Sequence, residues 1–213
     1  MKTDDLITML ATGVAPVAPG LPARRLGAGL FLGALGALLL LLLGYGVRPG
    51  LAQATGDPML WVKFGFPAAL AATGALLVLR LSHPGMRLGP LGLGLLLPVL
   101  AMLALAGAVL LGAAAPERTE LLLGGTWKSC SASIALLSSP VFVALLWVLK
   151  GLAPTRLRQA GASAGLLAGA VGTFVYAFHC PEMAAPFLAA WYGLGMLLPA
   201  LLGALLGPRL LRW

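Results

Sequence analysis

Residues 26–47 read LGAGLFLGALGALLLLLLGYGV, twenty-two positions without a charged side chain. A helix rises 1.5 Å per residue, so this run reaches about 33 Å, enough to cross a hydrocarbon core of about 30 Å. The apolar character is continuous, whereas a strand of a spanning barrel would alternate apolar and polar positions. The run also exceeds the 7–15 residues of a signal-peptide core. The small residues of LAQA (51–54) that follow it therefore do not mark a cleaved leader, and the segment reads as a signal anchor.

Working outward, five further runs have the same character, at 64–82, 90–113, 131–149, 160–178 and 187–206. The expected fold is an all-α, polytopic membrane bundle of six helices. The second run, with Arg80 near its end, and the fifth, rich in glycine and alanine, are the least apolar, and four or five spans are the alternative. Composition agrees: 60% of the residues are hydrophobic and 9% charged, against about 25% charged in a soluble domain. The expected divisions are a tail at 1–25, the membrane domain at 26–206 and a short end at 207–213.

Lys and Arg accumulate in cytoplasmic loops, so their distribution orients the bundle. With the N-terminus inside, Lys2, Arg24, Arg25, Arg80, Arg87, Lys150, Arg156, Arg158, Arg209 and Arg212 are cytoplasmic, and Arg48, Lys63, Arg118 and Lys128 are outside. Both termini are then cytoplasmic. The net charge of +8 falls on that face, where it reports insertion and contact with anionic lipid rather than nucleic-acid binding. Trp61, Trp127, Trp191 and Tyr192 toward the outer face, and Trp147 and Trp213 toward the inner, fit interfacial belts.

Within the runs, Pro67, Pro98, Pro140 and Pro199 shape helices. Glycines spaced by four, at 29 and 33, at 161, 165 and 169, and at 203 and 207, predict close helix packing. No Asp or Glu lies in the middle of a run, which argues against an ion-coupled transporter. No phosphate-binding loop, metalloprotease His pair or serine with a base is present, so no enzyme activity and no resident cofactor are expected.

The chain opens MKTDDLITMLATGVAPVAPGLPARRLG (1–27). Thr3 is placed to cap a helix, Asp4 and Asp5 suit the positive end of its dipole, and Leu6, Leu10 and Val14 recur every fourth residue. Ile7 and Met9 widen that apolar face. Pro16, Pro19 and Pro22 make the continuation an extended linker. A helix that rests on membrane usually carries Lys or Arg on its polar face; this one carries two acids, so a protein partner fits better than anionic lipid.

This start, followed by proline-interrupted sequence, a basic pair and six hydrophobic runs, resembles the NrsF-like family of bacterial inner-membrane anti-sigma factors. The resemblance spans essentially the whole chain. It implies an extracytoplasmic-function sigma factor as the partner of Asp4, Asp5, Leu6, Ile7 and Leu10. The tail is too short to hold a folded domain, so recognition would be by a linear motif.

Only two cysteines occur, Cys130 in TWKSCSAS and Cys180 in FHCPE, and the orientation above puts both at the outer face. In an oxidising periplasm such a pair could form a disulfide. The alternative is that Cys130, Cys180 and His179, with Glu182 close by, hold a soft metal ion transiently. The plain alternative to both is that the cysteines are small packing residues at helix ends. The expected function is an anti-sigma factor releasing its partner on a periplasmic metal or redox stimulus. A small-molecule transporter or channel, or a membrane thiol redox protein, are the other readings, and the absence of a CxxC motif weighs against the last.

Overall fold

A computed structural model describes residues 3–12, 20–51 and 53–212. Among the described residues all regular structure is helical. Helix α1 (Thr3–Ala11) precedes the bundle; α2 (Leu21–Gly44), α3 (Pro58–Leu81), α4 (Leu96–Gly112), α5 (Ala115–Leu123), α6 (Trp127–Lys150) and α7 (Leu157–Tyr176) follow. A short α8 (Ala185–Phe187) leads through a π turn (Leu188–Tyr192) into α9 (Gly193–Leu210). A 3-10 segment (Gly89–Leu95) extends α4 backwards, so the third apolar run is one helical rod, Gly89–Gly112.

Five of these rods are long and apolar enough to cross a membrane: Leu21–Gly44, Pro58–Leu81, Gly89–Gly112, the stretch containing α6, and Ala185–Leu210. Helix α7, formed by the fifth run, has the length but not the apolarity. The reason is its position. It lies at the centre, packed by α9, α6 and α3, and thirteen of its twenty residues are buried. A helix surrounded by helices needs small side chains more than apolar ones.

The spacing of the glycines takes effect here. A Cβ on Gly165 would lie 2.0 Å from the Pro199 carbonyl oxygen, and one on Gly161 would lie 2.1 Å from that of Gly203, so α7 and α9 touch backbone to backbone. Gly33 meets Val141 in the same way, where a Cβ would come within 2.6 Å of its Cα, and this sets α2 against α6. Pro67, Pro140 and Pro199 lie inside α3, α6 and α9.

Two departures from the expected belts follow from packing. Lys63 is not a loop residue: it lies in α3 and is wholly buried. Tyr192, expected at an interface, is in the core against Tyr176, their ring centroids 6.1 Å apart. Trp61 and Trp147 do face outward.

The connections gather at two ends. Arg25 reaches Gly151, and the Gly85 amide reaches Thr155, at one end. At the other, the segments that follow α2, precede α6 and follow α7 meet: the Arg48 amide donates to Phe178, and the Gly125 amide to Glu182.

Candidate functional site

The second end is built on the segment between α7 and α8. After Tyr176 the helix closes with a turn in which the His179 and Cys180 amides both donate to the Tyr176 carbonyl. Pro181 has no N–H with which to continue it. The carbonyls that follow are therefore turned to other partners. Lys63 Nζ donates to the Cys180 carbonyl and, at 2.9 Å, to that of Glu182; Arg48 Nη1 donates to the Pro181 carbonyl at 3.0 Å. Two cations from α3 and from the loop after α2 thus pin three consecutive carbonyls.

This pinning brings Cys180 against Cys130, which lies in the first turn of α6, and both are fully buried free thiols. The Tyr176 and Tyr192 side chains flank them. The interaction with Cys130 holds the Cys180 thiol below the ordinary cysteine range; burial opposes this, and the Lys63 ammonium adds to it. Arg48 Nε is buried without a hydrogen-bond partner among the described residues.

Of the four residues expected to act together, the two cysteines meet and the other two turn elsewhere. His179 directs Nδ1 to the Gly46 carbonyl at 3.0 Å and packs its ring on Tyr45 and Tyr176. The Glu182 carboxylate accepts from the Gly125 amide at 2.8 Å and from the Thr126 hydroxyl at 3.3 Å, beside the positive end of α6. Among the described residues no three His, Cys, Asp or Glu side chains converge as a metal site would need. Two neighbouring thiols can still lose two electrons and two protons to an oxidant and become a disulfide, or share a thiophilic ion as a pair.

Lys63, Arg48, Tyr176 and Tyr192 were not among the expected site residues. One signal was present: a lysine within an apolar helix is costly unless it faces the protein interior, and that rule points at Lys63.

At the tail, α1 carries Asp4 and Asp5 in its first turn, and Thr8 and Thr12 bond back to the Asp4 and Met9 carbonyls. None of its residues is buried, and Leu6, Ile7 and Leu10 are 37%, 59% and 64% exposed. Val14, Pro16 and Pro19 lie outside the described residues.

Comparison with known proteins gives the family. The NrsF family, described as negative regulator of sigma F, matches residues 10–213. The chain belongs to the NrsF family. A probable anti-sigma-F factor NrsF of Azospira oryzae is 52% identical over 213 residues, covering the whole of both chains. The anti-sigma-F factor NrsF of Caulobacter vibrioides is 41% identical over 226 residues, again covering both completely. No solved structure matches the chain. The family is described as a negative regulator, a regulatory role.

Proposed function

We propose that the protein is a membrane-bound anti-sigma factor that holds an extracytoplasmic-function sigma factor at the bacterial inner membrane through α1 and releases it when Cys130 and Cys180 meet a periplasmic metal or oxidant. The observation that carries the anti-sigma reading is the full-length similarity to two NrsF proteins. The fit of α1 to a docking role supports the tail as the contact. So short a helix is marginal alone in water, and its leucine face is uncovered among the described residues.

The six-span reading takes α7 as a crossing shielded by its neighbours, so that α2, α3, α4, α6, α7 and α9 alternate in direction. The grouping of loops at two ends supports it, because each helix then runs from one group to the other. The cationic bias puts the end bearing Arg25, Lys150 and Arg156 in the cytoplasm, with α1, and the thiols on the opposite side.

Pairing of the two cysteines by an oxidant, or by a soft ion between them, ties the start of α6 to the segment after α7. The signal then has to travel along helices, and a stimulus shifts a two-state protein only by its preference for one state. A third metal ligand from His179 would require that ring to leave the Gly46 carbonyl.

The deciding experiment is co-purification of a soluble sigma factor with the detergent-extracted chain, repeated after deletion of residues 1–22. Capture that survives the deletion would move recognition to the loops. Failure of the intact chain to capture any sigma factor would reject the reading.

A further inference from the structure

The lipid-facing side of the α2–α6 seam holds a feature apart from both the tail and the thiols. Cβ atoms on Gly29, Gly33 and Gly36 would lie 2.8, 2.6 and 3.0 Å from Val148, Val141 and Pro140, so the two helices close along their inner line and leave a furrow outside it. At the end of that furrow is a cavity of about 470 Å³, walled by Ala28, Leu32, Ala144 and Trp147, with Arg25 and Lys150 at its mouth. A second cavity of about 360 Å³ continues past Leu32, Ala144 and Trp147 to Gly33, Pro140 and Val143. No acidic residue lines either one.

Charge and depth together define what would fit. Arg25 Nη1 donates to the Gly151 carbonyl at 3.1 Å, which quiets the negative end of α6 and fixes the guanidinium beside the mouth with donors remaining. From Lys150 to Pro140 the helix descends about 15 Å, the depth of one leaflet's hydrocarbon. A cationic mouth at headgroup level above an apolar furrow one acyl chain deep is complementary to a single class of molecule. We propose that this furrow is a binding site for an anionic phospholipid, its phosphate held by Arg25 and Lys150 and one acyl chain laid under Trp147. A zwitterionic lipid would bring a second ammonium to the same mouth and is disfavoured. The site lies where the tail joins α2, so an occupied furrow fixes the root of the sigma-binding segment.

This inference rests on the membrane reading above. Its test is native mass spectrometry of the full chain released from detergent micelles doped with equal amounts of phosphatidylglycerol and phosphatidylcholine of the same chain length. The wild type should retain one phosphatidylglycerol in preference by roughly thirtyfold, the order expected of two cations near a lipid surface. The Arg25→Gln, Lys150→Gln pair should lose that preference. Ala144→Phe, which fills the furrow and keeps the charge, should lose the bound lipid. Arg118→Gln with Lys128→Gln removes as much charge at the opposite end and should behave as wild type. Should either test variant fail to fold, the other decides. Equal retention of both lipids, loss of preference in the control pair, or displacement by excess inorganic phosphate would overturn the site. A chain that leaves the membrane fraction without detergent would instead reject the membrane reading itself.

Discussion

Lys63, in the second turn of α3, donates to the main-chain carbonyl of Cys180, 117 residues further along the chain, with its own side chain wholly buried. The ammonium is thus a fastener between the second apolar run and the thiol segment. Removing it takes the donor from the Glu182 carbonyl and leaves the Cys180 carbonyl only the longer contact from Arg48 Nη1 at 3.5 Å, at about 1–3 kcal/mol for a group left unsatisfied. Lys63→Met should therefore lower the thermal midpoint in detergent and expose Cys180 to alkylation. Lys63→Arg should restore part of the protection. Unchanged alkylation in Lys63→Met would show that Arg48 alone secures the segment.

The thiols should behave as a pair. Mild oxidation of the folded wild type is expected to remove both from maleimide labelling of the subsequently denatured chain without forming dimers, and reductant should restore them. Cys130→Ser and Cys180→Ser should each abolish release of the sigma factor by oxidant or thiophilic metal, and the double variant should match either single one. His179→Ala should weaken a metal response and spare an oxidative one.

Titration gives a separate check on the same pair. Cys130 favours the Cys180 thiolate, so the pH at which Cys180 becomes reactive lies below that of an ordinary cysteine. In Cys130→Ala that support is gone and burial remains, so the midpoint of Cys180 alkylation should move to higher pH. Mass-spectrometric labelling across a pH series reads this shift; a midpoint that stays in place would mean the thiols do not interact.

The tail can be tested without disturbing the bundle. Leu6→Asp or Leu10→Asp places a charge in the face proposed to meet the partner and should reduce capture at least tenfold, with membrane insertion unaffected. Exchanging Asp4 and Asp5 for lysine should weaken capture more at low salt than at high salt.

Reporter fusions at residue 120 and after 184 should read periplasmic, and those after 86, 155 and 212 cytoplasmic. A periplasmic C-terminus would remove one crossing from the bundle.

Much of this was legible from residue pattern because lipid is a demanding solvent. An uninterrupted apolar run has few structural meanings, and five of the runs yield rods apolar enough to span. The four-residue glycine spacing foretold contacts such as Gly165 on Pro199, since a missing side chain matters most where backbones meet. Cys130 and Cys180 could be brought together by following alternate crossings. The orientation of His179 could not, because it depends on which carbonyl is nearest, and Gly46 comes from the far end of another run. Lys63 was misplaced for a related reason: a positive charge near a run's edge looks like a boundary until its carbonyl partners are known.

The central place of α7 bears on how the chain is made. A segment so rich in glycine and alanine gains little by leaving the insertion channel for lipid alone, and its partner α9 is synthesised after it. On the six-span reading it must therefore linger beside α6, against which it also packs, until the last helix emerges to close over it. Truncating the chain before α9 should then leave α7 slipping back or handed to quality-control proteases, which would make completion of the C-terminal helix the step that commits the newborn protein to its final topology.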